Sequence, residues 1–277
     1  MRHILFILKR IWALLLHLIF PPKCSVCKCA LHRNTGMCND CLKLYNKAER
    51  KRCGICLKQA RNCSCRPMLL TDTDKFSEKN LISLFYLAPP ESKNPEDKYV
   101  RKFIYKFKRY HDRASVGFAA RILSHEFLLL LKSADENTDN WIITNPPRSK
   151  EQRLIYGFDH ASQLARTISK MTGIEYSKCF KRRTNKMQKT LNAFQRRANA
   201  DKSYSAINID SFIGKKVLII DDVMTTGATI NACAKLLKDN GAKLVFPACI
   251  ARTRKKPVNA RRALSWNNWI NEKKKRR

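Results

Sequence analysis

The sequence predicts an α/β fold, a parallel sheet flanked by helices, preceded by a small cysteine-rich N-terminal module. Three observations carry that reading. The runs "KKVLII" (215–220) and "AKLVFPACIA" (242–251) are nearly unbroken apolar stretches, as strands covered on both faces of a parallel sheet require. Segments with helical apolar spacing alternate with such runs, the signature of an α/β sheet. Nine of the 12 cysteines fall between positions 24 and 65, a stretch too short to build a sufficient core of its own.

A length of 277 residues with 44% hydrophobic residues allows one large domain or two smaller ones with a buried core. Lys and Arg number 56 against 22 Asp and Glu, and the pI is near 10.1. That balance favours a polyanionic partner such as nucleic acid; a merely solvated basic surface is the plainer alternative.

Taken in order, Ile11 to Phe20 is an apolar decamer behind Lys9 and Arg10. It is shorter than the roughly 20 residues a membrane span needs, and Pro21-Pro22-Lys23 follows instead of a cleavage site. Residues 1–22 are therefore expected to form a short amphipathic helix packed on the protein, with peripheral contact to an acidic membrane as the alternative. The expected location is cytoplasmic. In residues 23–66, Cys24-x2-Cys27 and Cys38-x2-Cys41 form one thiol set, and Cys53-x2-Cys56 with Cys63-x-Cys65 form another. A C-x2-C knuckle supplies two thiolates from one turn, so each set can close a tetrahedral zinc site. The odd count and the lack of an export signal argue against a disulfide framework. Cys29 is a spare thiol, and the zinc role is structural.

Pro89, Pro90 and Pro95 mark irregular chain, with a strand expected at 81–87 before it. Helices are expected over 99–107, 115–132, 158–171 and 228–240, the last closed by Gly241, and a strand at 141–145. These elements lie in an α/β domain spanning 80–252. Cys233 and Cys249 sit on apolar faces and read as core residues. The residues from 253 to 277 form a basic tail with ten Lys and Arg, in which Trp266 and Trp269 suit stacking on bases or pinning a helix.

The stretch "VLIIDDVMTTGAT" (217–229) joins a strand to a helix N-terminus through two carboxylates and a threonine-glycine turn. Backbone N–H groups and the hydroxyls of Thr225, Thr226 and Thr229 suit a phosphate, while Asp221 and Asp222 suit sugar hydroxyls, with or without magnesium. This stretch resembles the phosphoribosyl-pyrophosphate loop of type I phosphoribosyltransferases. The resemblance implies that Asp221 and Asp222 hold the ribose hydroxyls and that Thr225, Thr226, Gly227 and Thr229 cradle the 5′-phosphate.

With "FPPKCSVC", "KFIYKFKRYHDR", a strand ending in Pro-Pro and "KRRTNKMQKTLNAFQRRAN", residues 20 to 252 are similar to the ComF family. It implies a double zinc ribbon on a type I phosphoribosyltransferase-like domain, and an association with DNA uptake in natural transformation. The family's Pro-Val-Pro stands here as Asn145-Pro146-Pro147 and its Arg-Gly-Phe-Asn as Tyr156-Gly157-Phe158-Asp159. Both changes fall on the pyrophosphate side, where Arg148 and Arg153 are available guanidinium groups. Residues 176–202 carry nine Lys and Arg against one Asp, a lid or a nucleic-acid track with Arg182, Arg183, Gln188, Arg196, Arg197 and Asn199 as candidates.

Three functions follow as expectations: a ComF-like protein binding phosphoribosyl pyrophosphate and single-stranded DNA beside a helicase-like partner; a magnesium-dependent transferase on an unknown acceptor; or a nucleotide-sensing adaptor without turnover. Whether the chain is an enzyme stays open at this point.

Overall fold

A computed structural model of the chain describes residues 21–32, 35–50, 81–87, 95–109, 113–149, 157–183 and 203–253, together with Trp12 and Leu154. The second cysteine set (Cys53, Cys56, Cys63 and Cys65) lies outside the described residues, as do Arg153, Tyr156, Gln188, Arg196, Arg197, Asn199 and the tail beyond Thr253. So does the expected N-terminal helix before Pro21, Trp12 excepted.

The described chain runs α1 (Asn39–Arg50), β1 (Ile82–Leu87), α2 (Pro95–Arg109), α3 (Arg113–Ser133), β2 (Trp141–Thr144), α4 (His160–Thr172) and β3 (Glu175–Tyr176). It continues with β4 (Phe180–Arg182), β5 (Tyr204–Ala206), β6 (Lys216–Met224), α5 (Ala228–Asp239) and β7 (Leu244–Thr253). Five strands form a parallel sheet in the order β1-β7-β6-β2-β3, and β4 pairs antiparallel with β5.

The central strand β6 shows why an apolar run was needed. Side chains alternate across a strand, so Val217 and Ile219 join Phe212, Ile230, Leu237 and Val245 on one face of the sheet. Leu218 and Ile220 join Phe127, Leu164 and Phe246 on the other. Both faces are covered, which leaves no polar side for the sequence to display. The strand also runs further than its apolar residues suggest. Pairing with β7 continues through Asp221 to Met224 opposite Arg252, so the two carboxylates belong to the strand itself.

Helix α3 is long and apolar enough to cross a membrane, but most of that stretch is buried inside the protein. Phe118, Leu123, Phe127 and Leu131 face the core, which accounts for its composition.

The first cysteine pairs share the core of the sheet. Cys24, Val26, Leu31, Met37, Cys41 and Tyr45 belong to the cluster that holds Phe85, Phe103 and Phe118. The Tyr45 ring meets Phe85 and Phe118 edge-on, with centroids 5.3 and 5.9 Å away. Gly36 makes this closeness possible. It has φ +81°, and a Cβ there would stand 2.4 Å from the Ala114 carbonyl oxygen and 2.8 Å from Phe118 Cβ. Gly36→Ala is therefore expected to cost about 3 kcal/mol, combining left-handed strain with a backbone clash, and to lower the melting temperature by roughly 6–12 °C. A calorimetric melt unchanged within a degree or two would contradict this packing.

Candidate ribose-phosphate site and cysteine cluster

The turn after β6 is fixed at both ends. Thr253 at the end of β7 donates its hydroxyl to the Thr225 carbonyl at 3.0 Å, and the Ala228 N–H reaches Thr226 Oγ1 at 3.3 Å. Gly227 is the N-cap of α5 at φ +72° and has no side chain with which to cap the helix. A Cβ on Gly227 would meet nothing closer than 3.6 Å, so the residue is required by its backbone conformation, not by crowding. A small cavity of about 40 Å³ opens here, lined by Asp221, Thr225, Thr226, Gly227 and Thr229 among others. All the predicted phosphate-cradle residues thus come together, at the carboxyl edge of the sheet, where α/β folds bind ligands.

Strand alternation sends the two adjacent carboxylates to opposite faces. Asp221 follows Val217 and Ile219 toward α5 and lines the small cavity; Asp222 follows Leu218 and Ile220. Asp222 is buried and accepts a short hydrogen bond from Arg148 Nη2, with Lys108 Nζ 3.5 Å away. Its own Oδ1 also accepts the Val223 N–H at 2.6 Å, and Asp221 Oδ1 accepts the Asp222 N–H at 2.8 Å.

These contacts split the pair electrostatically. Burial pushes Asp221 up to about 7, and the neighbouring Asp222 charge adds to that push. Burial acts on Asp222 too, but the Lys108 and Arg148 cations outweigh it and hold that carboxyl below its ordinary value. Asp222 is the fixed anion and Asp221 the group poised near neutrality.

Two of the departures from the family pattern, Asn145 and Asp159, have local roles. Asn145 Oδ1 accepts from Tyr176 OH at 2.8 Å, and its amide donates to the Pro146 carbonyl at 3.1 Å. Asp159 caps α4 by accepting the Ser162 N–H at 3.1 Å, a task that Asn performs equally well. Arg148 is turned toward Asp222 and lies 4.0 Å from Asp159. His160 is buried against Phe158 (4.2 Å) and Phe107 (5.4 Å), and burial with the nearby Arg148 pushes it down to about 4, so it is neutral at pH 7. Cys233 and Cys249 are buried in the core, as their apolar faces predict.

Three thiols of the first set are brought together with the spare Cys29. The Sγ atoms of Cys24, Cys27, Cys29 and Cys38 all lie within 4.8 Å of one another. Cys24 Sγ accepts backbone N–H groups from Val26 and Cys38 at 3.4 Å each, and Cys38 Sγ accepts one from Cys41 at 3.4 Å. Cys29 thus completes the tightest group of four, while Cys41, fourth in the sequence-based set, is buried at the start of α1 beside Cys38. Burial would push Cys27 up, yet hydrogen bonds from Cys29 and its other thiol neighbours bring it down to about 6; the same crowding, led by Cys27, raises Cys29 to about 12. So many thiols ionise together only around a cation, and the donor set fits a thiolate-binding metal.

Sequence reasoning did not find the element that joins the two sites. On α2, Tyr99 OH donates to the Cys41 carbonyl at 2.9 Å and Lys106 Nζ to the Cys24 carbonyl at 3.2 Å. Residues 99 and 106 are seven apart and share a helix face, whereas Lys108 lies about half a turn round from Lys106. One helix therefore holds the cysteine turns on one flank and Asp222 on the other. The alternation of Lys with aromatic residues in "KFIYKFKR" is the signal that could have revealed it.

Of the lid candidates, Arg182 is half-buried over the Tyr204 ring at 5.6 Å, and Arg183 is exposed where its N–H meets the Ser203 carbonyl at 2.8 Å. They flank the entrance to the segment that carries the others.

The parallel sheet, the acidic strand end and the threonine-glycine turn define a phosphoribosyltransferase-type domain. A model of the phosphoribosyl transferase domain family matches residues 157–272. The chain is 25% identical over 216 residues to the competence protein ComFC of Streptococcus pneumoniae, covering 78% of this chain and 87% of that protein. It is 27% identical over 234 residues to the DNA utilization protein YhgH of Salmonella typhimurium, covering 83% and 90%. A stretch of 48 residues is 48% identical to a ribose-phosphate pyrophosphokinase of Methanobrevibacter smithii, but it spans only 17% of this chain and 16% of that protein. Over about four fifths of its length the chain is thus similar to ComF-type competence and DNA-utilization proteins, and it carries a phosphoribosyl transferase domain.

Proposed function

We propose that this protein binds phosphoribosyl pyrophosphate and single-stranded DNA and serves DNA uptake from the cytoplasmic side. The observation that carries the ribose half is the junction of Asp221 with the 225–229 turn at the carboxyl edge of the sheet, beside a cavity of phosphate size. In this reading Asp221 and Asp222 accept the ribose hydroxyls. Thr225, Thr226, Thr229 and the amides after Gly227 receive the 5′-phosphate. Lys108 and Arg148 keep Asp222 ionised, ready to accept hydrogen bonds. Magnesium fits hard oxygen donors such as Asp221 and, when bound with the diphosphate, offsets the charge of that group.

Zinc in the first set supports the fold, held by Cys24, Cys27 and Cys38 with Cys41 or Cys29 as the fourth ligand; Cys53, Cys56, Cys63 and Cys65 are proposed for a second ion. The names of the ComFC and YhgH relatives and the charge of +34 support the nucleic-acid half. Arg182, Arg183, Gln188, Arg196, Arg197 and Asn199 would track its phosphates, and a helicase-like partner would deliver or draw the strand. A second reading, displacement of pyrophosphate by an acceptor, is favoured by a larger cavity next to the ribose cradle, of about 400 Å³.

The nucleic-acid half is tested by fluorescence anisotropy of a labelled single-stranded oligonucleotide at rising salt. Affinity is expected to fall about 300-fold or more between 50 and 200 mM salt if six or more phosphates are neutralised. A flat response would remove the phosphate track.

A further inference from the structure

The larger cavity has a chemistry that the ribose cradle lacks. The small cavity contains no lysine or arginine among its lining residues and works through backbone and hydroxyl groups. The cavity of about 400 Å³ is lined by Arg148, Arg166, Lys178, Lys181 and Arg182, with Asp159 the one acidic residue on its wall. Asp159 is already engaged, since it caps α4 through the Ser162 N–H and faces Arg148 Nε. Five cations therefore surround a space whose single carboxylate is committed to the fold.

Two aromatic residues, Tyr176 and Phe180, line the cavity among the charges. Tyr176 carries the Arg166 guanidinium on one face at 4.2 Å, and its hydroxyl is tied to Asn145 Oδ1 at 2.8 Å. Phe180, fully buried, is among the lining residues. A bare diphosphate would satisfy the charges but needs neither the volume nor the aromatic residues. A nucleoside phosphate uses all three: anionic oxygens among the cations, a flat ring near Tyr176, and a volume within the range of small-ligand pockets.

We infer that this cavity is the seat of the 5′-phosphorylated end of a single-stranded oligonucleotide, placing the strand terminus directly beside the ribose cradle. The inference deepens the proposed function and rests on its nucleic-acid half, not on phosphoribosyl pyrophosphate binding. Arg148 links the two sites, donating to Asp222 while lining the cavity. Its position makes the occupancy of one site sensible to the other.

The test compares short thymidine tetranucleotides with a 5′-phosphate or a 5′-hydroxyl, by calorimetry on the full chain at low salt. The phosphorylated form is expected to bind at least tenfold more tightly, and Lys178→Ala with Lys181→Ala to erase that preference. Lys235→Ala with Lys243→Ala removes as many exposed charges that do not line the cavity and should keep it. Equal affinity for the two tetranucleotides would overturn the inference. So would an unchanged preference in the Lys178/Lys181 variant, or displacement of the phosphorylated tetranucleotide by inorganic pyrophosphate at far lower concentration. If long single strands bind with steep salt dependence while the tetranucleotides are not distinguished, the inference fails and the wider reading stands. If the phosphorylated tetranucleotide binds selectively while long strands do not, the wider reading fails and the seat remains.

Discussion

Replacing Asp221 by Asn is expected to stabilise the protein above pH 7 while abolishing its affinity for phosphoribosyl pyrophosphate. The folded state raises this carboxyl from 3.8 to about 7, so it holds the proton more tightly than the unfolded chain does. Between about pH 4 and 7 the unfolded chain binds fewer protons, and stability falls as pH rises through that window. Above it the ionised carboxylate is buried, and stands beside Asp222, at a cost on the order of 3 kcal/mol, which Asn removes. A rise of several degrees in melting temperature at pH 8 is expected, shrinking toward zero at pH 4. Phosphoribosyl pyrophosphate affinity of the unaltered protein should rise with pH through about 7, as the carboxylate becomes able to accept two sugar hydroxyls. Asn accepts fewer and donates instead, so the variant should lose binding at least 100-fold. A variant no more stable at pH 8 than the parent would show that the folded state does not raise the Asp221 carboxyl.

The second large effect concerns the cysteine cluster. Cys24→Ser with Cys27→Ser should release one equivalent of zinc and lower the melting temperature by 10 °C or more, on the scale of about 4 kcal/mol. Cys24, Cys41 and Tyr45 share their core with Phe85 and Phe118, so losing the metal loosens the sheet's helical cover and not a peripheral bead. The damage should travel along α2, because Tyr99 and Lys106 grip the carbonyls of Cys41 and Cys24 while Lys108 sits on Asp222. Hydrogen exchange at the amides of 221–229 is therefore expected to speed up when a chelator strips the unaltered protein. Retained metal with an intact melt in the double variant would mean that other thiols hold the ion.

Much of this was legible in the sequence because it depends on local pattern. The apolar run into β6 had to be covered on both faces, and both faces are covered by side chains of opposite parity. The threonine-glycine turn reads locally, since Gly227 needs φ +72° wherever it occurs. What was hidden depends on tertiary distance. Arg148 lies 74 residues from Asp222, and nothing in "TNPPRSK" shows which carboxylate it will meet. The β4–β5 hairpin has three-residue strands, too short for any alternation to stand out. The C-x2-C spacing fixed the knuckles but not the choice between Cys29 and Cys41, because that choice is made by how the turn from Cys24 to Ala30 folds back, with Cys24 N–H on the Cys29 carbonyl at 2.8 Å.

The most direct measurement is calorimetric titration of the full chain with phosphoribosyl pyrophosphate and magnesium at pH 8, with Asp221→Asn/Asp222→Asn as the control. Saturable binding of one equivalent to the parent, absent in the control while its fold persists, is the expected result. No binding to the parent, or equal binding to both proteins, would contradict a ribose-phosphate site at the end of β6.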